Sequence, residues 1–141
     1  MTHKFTKGFT LLELLVVIVL LGIIMAVIIV GIDPIDKTNS ANDSKVQADI
    51  GMIGTAFEAN ATLNYGTYSS DQAGLVATGD LKGVLTPPND YCGGSYTIGT
   101  GGVSQHVSCI LKSKKYSATP LWIWCSSTGI ASGQPLSFTC P

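Results

Sequence analysis

FTLLELLVVIVLLGIIMAVIIVGI, residues 9–32, is the stretch whose reading decides the architecture. Only Thr10 and Glu13 in it are polar, and from Leu14 to Ile32 there are 19 residues without a charge, 15 of them Leu, Ile or Val. On the membrane-insertion scale, at roughly −0.3 to −0.6 kcal/mol each, those side chains contribute on the order of −7 kcal/mol. Glu13 stands near one end, where an acid costs less than the ~3 kcal/mol of a charge at the helix centre. As a helix rising about 1.5 Å per residue, the stretch is roughly 36 Å long, enough to cross a bilayer. Lys4 and Lys7 precede it, and Asp33, Asp36 and Lys37 follow. The positive-inside rule therefore predicts a single-pass protein with a cytoplasmic N-terminus and residues 33–141 exported. A cleaved signal peptide fits badly, because its apolar core is about 7–15 residues long and ends in a small-x-small site.

Around this segment lies a chain of 141 residues and 14.7 kDa, with room for one compact domain. Nine Asp and Glu oppose eight Lys, and there is no Arg, which argues against gripping nucleic acid as the main task. Charged residues are only 12% and mean hydropathy is +0.35, so an intrinsically disordered chain is excluded. The apolar run excludes a soluble cytosolic enzyme.

Glu13 needs a partner or an exit to the membrane surface, since a carboxylate inside an apolar segment is otherwise costly. Its neighbours are Lys7-Gly8-Phe9-Thr10-Leu11-Leu12-Glu13-Leu14. This string resembles the processing site of type IV prepilins and pseudopilins, in which a short basic leader ends in Gly and is cut on the cytoplasmic face. The resemblance implies a leader of residues 1–8, cleavage between Gly8 and Phe9, N-methylation of Phe9, and a Glu at the fifth mature position, here Glu13. The partners it implies are a prepilin peptidase/N-methyltransferase, membrane lipid before assembly, a pilus assembly platform, minor pilins and further copies of the chain in a helical homopolymer. Physically, cleavage creates an α-amine on Phe9, charged below its pKa of about 8. One helical turn separates it from Glu13, and in a low-dielectric setting the two charges favour pairing. The resemblance implies the intermolecular pair, with Glu13 setting the register of subunits that enter a filament.

The predicted organisation is a leader at 1–8, a transmembrane and filament-core helix at 9–32, a kinked amphipathic continuation at 33–64, and a globular β domain at 65–141. Pro34 should bend or open the helix. Asn39, Ser40, Asn42 and Ser44 can cap a restart. Val46, Ile50, Ile53 and Phe57, spaced 4, 3 and 4, mark one helix face. Gly51 and Gly54 weaken that helix and suggest close packing against a sheet. Asn64-Tyr65-Gly66-Thr67 should end it. Residues 65–90 read as a connecting loop. Strands are expected at Ser95–Ile98, Val103–Leu111, Pro120–Cys125 and Pro135–Cys140, with turns at Gly99–Gly102 and Ser126–Gly129. The fold class is α+β: a long apolar helix packed on a small antiparallel sheet, the architecture that the resemblance also implies.

Cys92, Cys109, Cys125 and Cys140 all lie on the exported side, where disulfides persist. Without a CxxC a zinc site or redox pair reads poorly. Of three connectivities, Cys92–Cys109 with Cys125–Cys140 is favoured, each closing a short stretch around a turn. The last pair also resembles the C-terminal disulfide-bounded loop of type IV pilins. No constellation suggests catalysis, a metal or a cofactor: His106 has no acid nearby in sequence, and the sequon at Asn60-Ala61-Thr62 is too common to weigh. A membrane-anchored enzyme is the remote alternative.

Two filament roles compete: a type IV pilus subunit serving adhesion, motility or DNA uptake, and a pseudopilin of a type II secretion system. Major pseudopilins resemble one another in an acidic calcium loop near the C-terminus. Calcium needs six to eight oxygens, yet the last 51 residues hold no Asp or Glu, which favours the pilus. The cluster Lys112-Ser113-Lys114-Lys115-Tyr116 reads first as a solvated loop, then as a subunit contact, and last as a nucleic-acid contact with Tyr116 stacking.

Overall fold

A computed structural model describes residues 8–88, 90–99 and 104–141, in two units divided after Pro34. Among the described residues the first unit holds one helix, α1 (Leu11–Ile32), and none of that helix's residues is buried. Thr10 stands at its N-cap with extended backbone. At the other end Asp33 takes left-handed geometry (φ 46°, ψ 73°), which breaks the helical path. Pro34 then opens α2 (Pro34–Leu63), where a missing N–H is not needed. The restart thus precedes the polar residues that sequence suggests as caps. Asn39, Ser40, Asn42 and Ser44 lie inside α2, and Ser44 bonds back to the Ser40 carbonyl.

In the second unit α2 packs on a four-stranded antiparallel meander, β1 (Thr97–Ile98), β2 (His106–Ile110), β3 (Leu121–Cys125) and β4 (Ile130–Gln134), in that order. The stripe of Val46, Ile50, Ile53 and Phe57 is fully buried, as its spacing requires. Opposite it stand Val107 and Cys109 of β2 and Trp124 of β3, with Leu75, Tyr91 and Tyr96 completing the core. Phe57 stacks on Trp124 with ring centroids 6.1 Å apart. Gly54 makes this approach possible, since a Cβ there would stand 2.7 Å from the Trp124 ring. Gly51 meets nothing, so the sheet-packing expectation holds for one glycine of the two. Past Leu63, Tyr65 and Gly66 adopt positive φ and the Gly66 N–H reaches back to the Ala61 carbonyl, which closes α2.

Two expectations are corrected. The connecting segment contains a helix, α3 (Gln72–Thr78), capped by the Asp71 carboxylate on the Gly74 N–H and ended by Gly79 at φ 84°. Its seven residues bury only Gln72 and Leu75, too short a stripe to register as periodicity. The last strand is Ile130–Gln134 rather than Pro135–Cys140. The turn at Ser126–Gly129 closes on the Cys125 carbonyl, so pairing with β3 resumes at once. Pro135, which has no N–H, then ends it. Part of the expected turn at Gly99–Gly102 and the start of the Val103–Leu111 strand lie outside the described residues. Disulfides join Cys92 to Cys109 (Cα–Cα 5.3 Å) and Cys125 to Cys140 (5.8 Å). The second ties the tail after β4 to the sheet face turned away from α2, where Phe138 and Thr139 flank Ile123 and Ser108.

Candidate functional site

Gly8, Phe9 and Thr10 precede the first hydrogen-bonded turn of α1, and all three are exposed. The Gly8–Phe9 peptide bond therefore lies in accessible non-helical chain, two residues ahead of the helix. Phe9 itself is 77% exposed. Thr10 and Glu13 form a capping box. The Glu13 N–H donates to Thr10 Oγ1 at 3.2 Å, while the Thr10 N–H and hydroxyl donate to Glu13 Oε2 at 3.0 and 2.9 Å. Here Glu13 serves its own helix start; an α-amine at Phe9 exists only after cleavage. Among the described residues, none of the 22 in α1 is buried.

A second polar cluster lies along α2, and sequence reading passed over it. Asp43 is fully buried. Its Oδ1 accepts from the Tyr91 hydroxyl and the Lys112 N–H, both at 2.9 Å, and its Oδ2 from the Ser113 N–H at 2.9 Å. Burial pushes the Asp43 carboxyl up, but the bonds from Ser113, Lys112 and Tyr91 together outweigh it and hold the group below the usual carboxylate range. Burial, then the hydrogen bond to Asp43 and that group's charge, push the Tyr91 hydroxyl well above its ordinary value. Asp49 accepts from the Tyr96 hydroxyl at 2.6 Å and pairs with Lys45 at 2.7 Å; Lys45 also reaches the Thr86 carbonyl. Asp36 accepts from the Lys114 N–H at 2.8 Å. Three acids of one helix thus hold the loop before β3 and the segment around Tyr91 and Tyr96. The signal was present: Asp43 continues the 46, 50, 53, 57 stripe one step toward the N-terminus, and Asn60 continues it one step the other way.

Asn60 is buried and donates to Asp80 at 2.8 Å and Thr78 at 3.2 Å, tying α2 to the end of α3, so its amide is not presented as a glycan acceptor. His106 sits half-buried on β2 against Gly99. Lys112, Lys114 and Lys115 are exposed. The Lys112 ammonium lies 4.9 Å from the Tyr91 ring centre and that of Lys115 lies 5.1 Å from Tyr116. Tyr116 packs edge-on against Trp122. Among the described residues no group of three or more His, Cys, Asp or Glu is placed to hold a metal.

Two comparisons bear on this arrangement. Residues 4–29, the span from Lys4 through most of α1, match the model of the prokaryotic N-terminal methylation motif. The chain is also similar to a protein of Thermus thermophilus described as "Type IV wide pilus major component PilA4", with 31% identity over 141 aligned residues, 96% of this chain and 97% of the relative. A processing motif joined to an exposed apolar helix, together with a relationship running nearly the full length of both proteins, places this chain in the type IV pilin family.

Proposed function

We propose that the protein is a structural subunit of a type IV pilus, held in the membrane by α1 and assembled into a surface filament after cleavage between Gly8 and Phe9. The observation that carries this reading is α1 itself: a 22-residue apolar helix with no buried residue and one carboxylate near its start. Such a helix needs lipid around it, or other protein once it leaves lipid. A filament core of parallel copies supplies the second cover. There the new Phe9 amine, N-methylated and still cationic, finds the Glu13 carboxylate of an adjoining copy, and neither charge stays alone in apolar surroundings. The exposed Gly8–Phe9 bond suits a membrane peptidase working at the cytoplasmic face, with Lys4 and Lys7 keeping that end inside. The exported unit carries two disulfides that brace it outside the cytoplasm. The similar Thermus protein is described as a major pilus component, which supports a structural rather than an enzymatic role.

Mass spectrometry of filaments sheared from cells tests the reading. The expected subunit begins at N-methylated Phe9. Filaments whose subunits retain Gly8 would overturn the processing assignment, and absence of the protein from every sheared filament would overturn the structural role.

A further inference from the structure

The four-stranded sheet has two edges, and they differ. At one, β1 is only two residues long; at the other, β4 runs for five, Ile130–Gln134. β4 pairs with β3 on one side. Among the described residues no backbone group of 130–134 has a partner beyond β3, so the far side of the strand presents open N–H and C=O groups. Sheets ordinarily guard such an edge by shortness, by charge or by a covering segment. β1 is guarded by its length. β4 is longer and lacks charge as well, since from Tyr116 to Pro141 the chain holds no Asp, Glu, Lys, Arg or His. The tail after β4 does not run along the edge. The Cys125–Cys140 bridge draws it across the outer face, where Phe138 and Thr139 flank Ile123. Pro135 stops the strand from lengthening but leaves its five residues open.

We infer that β4 docks edge to edge on the β4 of a second copy, antiparallel, joining two four-stranded sheets into one. The strand is complementary to itself. Centred on Ser132, the one register that pairs all five residues over about 17 Å, Ala131 meets Gly133 and Ile130 meets Gln134. Ala131 and Gly133 stand opposite Trp124 and Trp122 of β3, and as small residues they let the two strands close. Ile130, 67% exposed, gains cover from the stem of a glutamine. No charge meets a like charge, the cost that ordinarily keeps edges apart. The lysines set the direction. Ile110 pairs with Leu121 and Leu121 with Gln134, so the Lys112–Lys115 loop joins β2 to β3 at the Gln134 end of the sheet. Antiparallel pairing sends the two loops to opposite ends, whereas parallel pairing would set them side by side. A two-fold contact closes on two copies and does not recur between the parallel subunits of one helical polymer. It therefore joins neighbouring filaments, where a strand pair too small to hold a lone dimer acts many times over. That last step rests on the filament reading proposed above.

The test uses filaments sheared from cells, with low-speed sedimentation and electron microscopy to separate bundles from single filaments. Wild-type filaments should bundle. Ser132→Lys and Ser132→Glu each place like charges opposite one another, which weakens a single contact by up to about fivefold, and over many contacts the bundles should disperse. Mixing the two variant filaments should restore bundles, because Lys then faces Glu. Ser127→Lys, in the exposed turn off the edge, should leave bundling intact. Wild-type filaments that stay single would overturn the inference, as would Ser132 variants that bundle normally. Dispersal without restoration on mixing would assign β4 to a different partner, and equal dispersal by Ser127→Lys would show general charge repulsion; either result overturns pairing of β4 with itself. A protein absent from every filament would sink the proposed function, and the pairing would then be read in the detergent-solubilised full chain by hydrogen–deuterium exchange. There the amides of 130–134 should exchange more slowly as protein concentration rises while those of β1 stay constant, and rates independent of concentration would overturn the inference by themselves.

Discussion

At the scale of single residues, two carboxylates do opposite work with the same chemistry. Glu13 stands exposed at the start of α1 and closes a capping box with Thr10. Its assembly role and its capping role separate in two variants. Glu13→Gln keeps an oxygen for the Thr10 N–H but removes the charge, and Glu13→Val removes both. If the carboxylate neutralises the Phe9 amine of another copy, both variants should be cleaved, should accumulate in the membrane, and should lose surface filaments severely, since an unpaired buried charge costs about 3–5 kcal/mol. Filaments that survive in Glu13→Gln but not in Glu13→Val would show that the cap, not the charge, matters; immunoblots of sheared and membrane fractions read the difference. Asp43 is the buried counterpart. Its folded pKa lies below the unfolded value, so its contribution is present above about pH 4 and fades as pH falls through the folded pKa. Thermal unfolding of the solubilised chain should show stability dropping below about pH 4, with a shallower drop in Asp43→Asn. At neutral pH that variant should be less stable by about 1–3 kcal/mol, because the Lys112 and Ser113 N–H groups then face an amide.

At the scale of elements, α2 is a helix whose two glycines have different reasons to exist. At Gly54 a methyl group would meet the Trp124 ring at 2.7 Å, so Gly54→Ala forces the indole out of its place in the core. The expected cost is about 1–3 kcal/mol. At Gly51 nothing stands within 4 Å, and Gly51→Ala should stabilise the helix by about 0.5–1 kcal/mol. Melting temperatures of the two variants in the same detergent should move in opposite directions; a parallel shift would show that α2 does not pack on β3 at this point. Periodicity made the buried face of α2 legible because Val46, Ile50, Ile53 and Phe57 repeat over three turns. The same method could not find α3, whose seven residues offer Leu75 and little else, nor the polar continuation of the stripe at Asp43 and Asn60. An apolar count omits buried polar residues by construction; their burial depends on partners 18 to 70 residues away.

At the scale of the whole molecule, the described residues of the second unit form one long α-helix, one short α-helix and four strands of two to five residues, so covalent braces carry a large share of its stability. Cys92–Cys109 closes 17 residues and Cys125–Cys140 closes 15. In the chain-entropy model each is worth about 3 kcal/mol. The Cys125–Cys140 bridge holds the tail after β4, so Cys125→Ser with Cys140→Ser should free residues 135–141 and uncover Ile123. The double variant should melt at lower temperature and be cut by protease first within that tail, as N-terminal and mass analysis of the fragments would show. Cleavage elsewhere first would mean that the tail is held by packing alone.

Several properties were decided by local sequence. The apolar stretch at 9–32, the break at Asp33-Pro34 and the core face of α2 each rest on hydropathy, spacing or the covalent limits of proline. Those forces act within a few residues, so the chain declares them without its fold. Other properties needed the tertiary structure. The position of β4 depended on a turn that resumes pairing immediately after Gly129. The burial of Asp43 depended on three donors in distant segments. The fastening of the Lys112–Lys115 loop to the start of α2 joins residues 69 to 78 positions apart. Contacts of that range are set by which surfaces the collapsed chain brings together, and no periodicity in one segment records its partner in another.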